Sequence, residues 1–483
     1  MGIDPWLFTL KRPLMTDVVP TPPHADDMSL MEHVRRTLKL AGPVIVARAG
    51  ILVLFTVDTV MVGQVGGEEL AFLGLGMAIQ GVIMLVCIGL LQGTMILSSQ
   101  AYGADDFTTC GEVWRSGVYH ALVLGLVLGL ICLAGETLLT LFGQSPSLAA
   151  GGGSTSIHFG WGMPAMLLYV ACSYFLESIQ RPRVGMTVML IVNILNFGLN
   201  GLLIFGWGGT GLAMGADGAV IATSAVRWIA AFTMLGYILS LPWRLGDDRF
   251  AVWAPWKKIT HDAIRLSGAL GRKMRNLGAA TGMAYGLESA AFSSLVFMAG
   301  TIGPTALAAH QITNNAVALL VMASIGMAAA TAVRVGNAVG RKDPAGVRMA
   351  GWVGLCLIAI LLALPGLAML LVPHGIASLY VKELEVLEIA QWTLLAAGVF
   401  IVADGMMNVA MGSLRGMGDV WVPMFMHIIA FWCVGVPVAW MSAFYYGLGA
   451  VGLQVGIGAA VFLSVGSQTL RFSIVSRRPI KRA

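Results

Sequence analysis

From residue 41 onward the chain alternates long apolar stretches with short polar breaks marked by charge, Gly or Pro. The stretches reach or exceed the roughly 20 residues that a helix needs to cross a hydrocarbon core. Twelve spans are predicted, at 41–64, 70–100, 116–141, 157–180, 184–206, 211–241, 278–302, 307–339, 350–372, 387–414, 420–446 and 449–475. None alternates apolar and polar residues as a lipid-facing strand must, which excludes a β-barrel and leaves an all-α integral membrane fold.

A polar interval at 242–277, with eight basic residues, divides the spans six and six. The halves resemble one another. A shift of 237 places Met61, Gly63, Gly66, Leu70 and Ala71 on Met298, Gly300, Gly303, Leu307 and Ala308. The same shift places Ile88, Gly89, Thr94, Ala101, Gly103 and Asp106 on Ile325, Gly326, Thr331, Ala338, Gly340 and Asp343. Because six is even, equivalent helices cross in the same direction, so the repeat is parallel and its pseudo-twofold axis lies along the membrane normal. The expected layout is a cytoplasmic segment at 1–40, an N-lobe at 41–241, a cytoplasmic linker at 242–277, a C-lobe at 278–475 and a tail at 476–483.

Composition sharpens this. The 483 residues are 57% hydrophobic and only 11% charged, against about 25% charged in soluble domains. A soluble globule is excluded. The net charge of +5 forms no long basic run, so nucleic acid is not an expected partner. Of 29 Lys and Arg, 25 fall on segments facing one side, whereas the opposite loops hold Lys382 among Glu68, Glu69, Glu136, Asp217, Glu383, Glu385 and Glu388. The positive-inside rule then puts both termini of a multi-pass protein in the cytoplasm. Residues 1–27 read as a disordered lead-in without the apolar core of a signal peptide, and the six scattered cysteines as packing residues. No phosphate-binding loop is present, so a transporter built this way would draw on an ion gradient, with no cofactor.

Three acids stand inside spans: Asp58 in LVLFTVDTVMVG, Glu288 in GMAYGLESAAF and Asp404 in FIVADGMMNVA. Unpartnered, they would together cost roughly 8–10 kcal/mol to insert, which marks them as candidates to bind protons, Na⁺ or a cationic substrate in a central cavity. Span 5 adds Asn193, Asn196 and Asn200, the last two sharing a helix face and able to donate to a carboxylate or lend oxygen to a cation. His310, Gln311, Asn314 and Asn315 are candidates to line the outer cleft. Arg48 and Arg227 are the basic residues near mid-span, while Arg334, Glu177, Arg181 and Arg415 read as snorkelling or interface groups. The 28 methionines suit an adaptable cavity.

Four stretches carry a resemblance: DTVMVGQVGGEELAFLGLG from Asp58, the small-residue run Ala306–Gln311, LNFGLNGLLIFG from Leu195 and ADGMMNVAMGSLRGMGD from Ala403. Over about residues 30–475 the chain resembles the multidrug and toxic compound extrusion (MATE) family, in its NorM-type bacterial branch. The resemblance implies twelve helices in two six-helix lobes about a V-shaped cleft, a monomer, and export of organic cations or drugs in exchange for Na⁺ or H⁺. It implies that Asp58 with Asn196 and Asn200 forms an N-lobe site, and that Glu288 and Asp404 form a C-lobe cation site, a candidate for Na⁺. Phe400 stands where some members carry a tyrosine, which removes one oxygen ligand from a Na⁺ site.

Other readings are a lipid-linked oligosaccharide flippase of the same superfamily, a membrane enzyme and a passive channel. Scarce mid-span Arg and Lys oppose the flippase. The lack of HExxH, GxSxG or an aspartate-rich motif opposes the enzyme, and unequal acids in the two halves oppose the channel.

Overall fold

The computed structural model describes residues 28–207, 213–254, 268–479 and 482. The lead-in at 1–27 and the basic residues Lys257, Lys258, Arg265 and Lys481 lie outside the described residues. Among the described residues the chain is helical, without a strand.

Six long helices form the first half: α1 (Leu30–Gly63), α2 (Gly67–Gly103), α3 (Phe107–Leu133), α4 (Pro146–Ser178), α5 (Arg183–Phe205) and α6 (Gly215–Leu239). Six more follow: α7 (Ala269–Ile302), α8 (Pro304–Gly340), α9 (Pro344–Leu371), α10 (Leu384–Gly416), α11 (Trp421–Tyr445) and α12 (Gly449–Val475). Eleven are long and apolar enough to cross a membrane by length and composition. The remaining one, α7, matches them in length at 34 residues, but Tyr285, Glu288, Ser289, Ser293 and Ser294 interrupt its apolar run. Phe297, Ile194 and Leu364 are 77%, 74% and 75% exposed, an apolar outer surface of the kind a bilayer covers.

Several helices overrun the predicted apolar limits. α1 begins at Leu30, where Ser29 caps it by accepting from the Glu32 amide, and α4 begins after the Ser145 cap. At 1.5 Å per residue a 34-residue helix is about 50 Å long, so its ends stand beyond the roughly 30 Å core, where polar side chains no longer oppose helix formation. Two helices are irregular. α2 breaks at Leu91 into Gly67–Leu90 and Gln92–Gly103. α11 widens into π turns at Ile429–Gly435 and Met441–Tyr445 around Pro437, which has no N–H to continue the ordinary ladder.

Packing repeats with a period of six helices. α3 lies on α4 as α9 lies on α10, and α4 lies on α6 as α10 lies on α12. The lobes meet in the same way twice, α2 against α7 and α8 against α1.

The lobes close tightly at the end where α1 begins and α2 and α8 finish, the basic end. Added Cβ atoms at Gly103 and Gly340 would collide with the carbonyls of Asn337 and Gln100 respectively. Gly340 is the repeat partner of Gly103, and Asn337 that of Gln100, so one contact is made reciprocally across the pseudo-twofold axis. Glycine at both positions permits the two backbones to touch. Gln100 also donates to the Gly416 carbonyl at 3.0 Å. Arg334, read above as a snorkelling group, instead reaches α1, donating to the His33 carbonyl at 3.1 Å and to Thr37 Oγ1.

Candidate functional site

A cavity of about 450 Å³ lies between the lobes above this closure. Helical spacing builds its walls. On α10, Asp404, Asn408, Gly412 and Arg415 recur at intervals of three and four, and on α7 Tyr285, Glu288 and Ser289 share a face. α1 presents Arg48, Ile51, Leu52 and Phe55 in the same way, and Met84, Met95, Met166 and Met322 cover much of the remaining wall.

Glu288 and Asp404 therefore reach one cavity from two helices. Asn408 Nδ2 donates to the Asp404 carbonyl at 3.0 Å and its Oδ2 at 3.4 Å. Glu288 Oε2 lies 3.4 Å from His427 Nε2 on α11, and His427 Nδ1 lies 3.2 Å from Ser464 Oγ on α12. His427 is buried, its ring tilted at 43° against Phe431 with centroids 4.6 Å apart. Sequence reading missed it. A lone histidine in an apolar run carries no mark of its partner, although its place just before the Pro437 irregularity is a usable signal.

Arginines hold the lower wall. Arg48 donates to Glu177 Oε1 at 3.0 Å, both buried, with its guanidinium over the Tyr174 ring at 5.3 Å. Arg415 stacks over Tyr285 and donates to its hydroxyl at 3.0 Å, and Gln92 of the other lobe donates to the same oxygen at 2.7 Å. Glu177 and Arg415 were expected as interface anchors. Each stands in the last turn of its helix, and both side chains are instead enclosed between helices.

Asp58 does not line this cavity. It is buried inside the N-lobe, accepting from Asn200 Nδ2 at 2.7 Å and Thr223 Oγ1 at 2.5 Å. Asn196 completes a ring, accepting from Asn200 at 3.2 Å and donating to Thr223 at 3.0 Å. Thr223, on α6, was not foreseen. One turn further along α6, Arg227 sits between the Phe55 and Phe159 rings, 5.6 Å from each, and its buried Nη1 and Nη2 have no hydrogen-bond partner among the described residues.

The other amide candidates stand apart from the cavity. Asn193 donates to the Gly50 carbonyl of α1 at 3.1 Å, an interhelical packing contact, and to the Met189 carbonyl of its own helix at 2.8 Å. Gln311 is exposed and Asn314 half-buried near the far end of α8, and neither lines the central cavity. His310 is buried beside Gln454 Nε2, at 3.3 Å.

Comparison with known proteins gives a concordant result. The MatE family model matches residues 43–202 and 281–441, one block in each half. The chain is 31% identical over 455 residues to "Probable multidrug resistance protein NorM" of Caulobacter vibrioides, covering 94% of both chains. It is 31% identical over 443 residues to "Multidrug resistance protein NorM" of Burkholderia vietnamiensis, covering 90% of this chain and 92% of that one. The fold is similar to the crystal structure of the eukaryotic MATE transporter AtDTX14, with TM-score 0.81, 18% identity, and coverage of 94% of this chain and 100% of that chain. The Vibrio cholerae MATE transporter VcmN gives TM-score 0.81 at 18% identity, over 93% of this chain and 98% of that chain. A twelve-helix multi-pass architecture, a family match in both halves and relatives aligned along nearly the whole chain agree: this protein belongs to the MatE family of membrane transporters.

Proposed function

We propose that the protein is a secondary multidrug efflux antiporter, which exports lipophilic, cationic compounds in exchange for H⁺ or Na⁺ by alternating access. The observation that carries this reading is the placement of Glu288 and Asp404 on one cavity otherwise rich in Met and aromatic side chains. Apolar, adaptable walls accept varied hydrophobic bodies, and carboxylates in low dielectric attract a cation strongly. A carboxylate already neutralised by the coupling ion holds an organic cation weakly. Loading one therefore releases the other. Closure at Gly103 and Gly340 seals the basic end while the load exchanges at the opposite end. The distribution of Lys and Arg supports both termini in the cytoplasm of a bacterial inner membrane.

Of the two ions, the arrangement favours H⁺. Na⁺ needs several oxygen ligands. Glu288 instead faces the His427 ring, and Phe400 is buried beside Gly458 of α12. The flippase alternative would use Arg48 and Arg415 to hold an anionic headgroup, but Glu177 already neutralises Arg48.

The test is ethidium accumulation in efflux-deficient cells that express wild type, Glu288→Gln, Asp404→Asn or both at equal level. Each single variant is expected to raise steady-state ethidium, and the double variant to match cells without the protein. Wild-type resistance in the double variant would contradict the reading.

A further inference from the structure

A second cavity, of about 540 Å³, opens at the basic end on the seam between the lobes. From the N-lobe Lys39 and Arg36 of α1, and Arg181 and Arg183 at the start of α5, line it. From the C-lobe come Arg334 and Arg341 at the end of α8. No carboxylate lines it. Three stand nearby: Glu32, accepting from Arg36 at 2.7 Å, Asp343, 3.9 Å from Arg341, and Asp105, whose charge also acts on Arg341. Three carboxylates against six cations leave an excess of positive charge in a part-buried space. Arg341 Nε and Nη1 are buried there without a hydrogen-bond partner. The N-terminus of α5 has no side-chain cap and borders the same space at Pro182, Arg183 and Val184. Unfilled cationic donors beside an uncapped helix N-terminus are the environment that a phosphate group satisfies.

The mouth adjoins exposed apolar side chains. Leu38 precedes Lys39, and Met349 precedes Ala350, which lines the cavity; these two and Trp352 are exposed on the outer surface. A ligand with a phosphate head and apolar chains meets both environments at once, whereas a free phosphate meets only one.

We propose that this cavity binds the phosphate of an anionic phospholipid and that the lipid clamps the lobes at the basic end. Without an anion the cations of the two lobes repel across the seam, so occupancy stabilises the closed arrangement. The inference does not depend on what the central cavity transports.

The test uses full-length protein in nanodiscs of phosphatidylcholine with graded phosphatidylglycerol, with retained lipid counted by native mass spectrometry. Each charge near an anionic surface is worth about a fivefold change in binding. The Lys39→Gln/Arg183→Gln/Arg341→Gln variant should therefore lose about a hundredfold in phosphatidylglycerol retention. Lys39→Arg/Arg183→Lys/Arg341→Lys should retain it, as should Arg244→Gln/Arg477→Gln/Arg478→Gln, which removes three charges from the same end outside the cavity. Equal loss in the two charge-removing variants would overturn the site, as would undiminished retention when the cavity charges are removed. Displacement of the lipid by inorganic phosphate alone would overturn a lipid as the source of the phosphate.

Discussion

His427 Nε2 lies 3.4 Å from Glu288 Oε2, joining α11 to α7 behind the wall of the central cavity that Glu288 lines. An imidazole can carry the positive charge that a bound cation would otherwise supply, and can pass a proton to the carboxylate it faces. The other ring nitrogen, 3.2 Å from Ser464 Oγ, fixes the ring's orientation. His427→Gln keeps a polar side chain but removes the imidazole ring. Loss of the ring that faces Glu288 should cost about 1.4 kcal/mol or more, so proton-driven dye efflux should fall by about tenfold or more at unchanged expression. Efflux at the wild-type rate would remove His427 from the coupling scheme.

Asp58 accepts two hydrogen bonds inside the N-lobe and is enclosed by helices. Thr223→Val removes one donor and leaves the carboxylate under-satisfied. The expected cost is about 1.5–3 kcal/mol, read as a lowered Tm in detergent. Arg227 lies one turn from Thr223 with no hydrogen-bond partner of its own among the described residues. Its role would be to balance the charge of Asp58. Arg227→Met should therefore destabilise the wild type more than it destabilises Asp58→Asn, with a coupling energy of about 0.5–3 kcal/mol in a double-mutant cycle. Strict additivity of the two changes would show that the charges do not interact.

Arg48 and Glu177 form a buried ion pair beside the cavity. Removing one member strands the other charge in a low dielectric and costs about 3–5 kcal/mol, whereas removing both is far less harmful. Arg48→Met alone should lower the Tm more than Arg48→Met/Glu177→Leu. The reverse order would mean that the pair adds net stability of its own.

Much of the fold was legible in the sequence because lipid imposes one simple rule: a long apolar run must be a helix. The acids were legible for the same reason. Asp58, Glu288 and Asp404 interrupt long, mostly apolar runs, and Asn196 with Asn200 announces its face by spacing alone. What the sequence concealed is what depends on which helix lies beside which. Thr223 completes the ring around Asp58 from a helix 165 residues away in the chain. Glu177 sits 129 residues from Arg48, and nothing local distinguishes it from an interface anchor. The enclosure of Asp58 was likewise hidden, since insertion cost marks a buried acid without saying which cavity it faces. The repeat brought Gly103 and Gly340 into correspondence, but not into contact.

That contact predicts a conformational phenotype. Gly103→Leu places a side chain where the Asn337 carbonyl lies, so the basic end cannot close. The variant should insert normally and fail to transport. A cysteine introduced at Ser99, buried in the closed arrangement, should become reactive to a membrane-impermeant maleimide applied from the basic side only when Gly103→Leu is also present. Equal protection with and without Gly103→Leu would show that the glycine approach does not seal this end.

The most direct test of the proposed coupling is dye efflux from proteoliposomes that contain the purified protein, with a proton gradient and a sodium gradient imposed separately. Coupling through the cavity carboxylates predicts efflux under the proton gradient, little under sodium alone, and loss of the response in Asp404→Asn. Efflux indifferent to both gradients, or a proton response undiminished in Asp404→Asn, would contradict it.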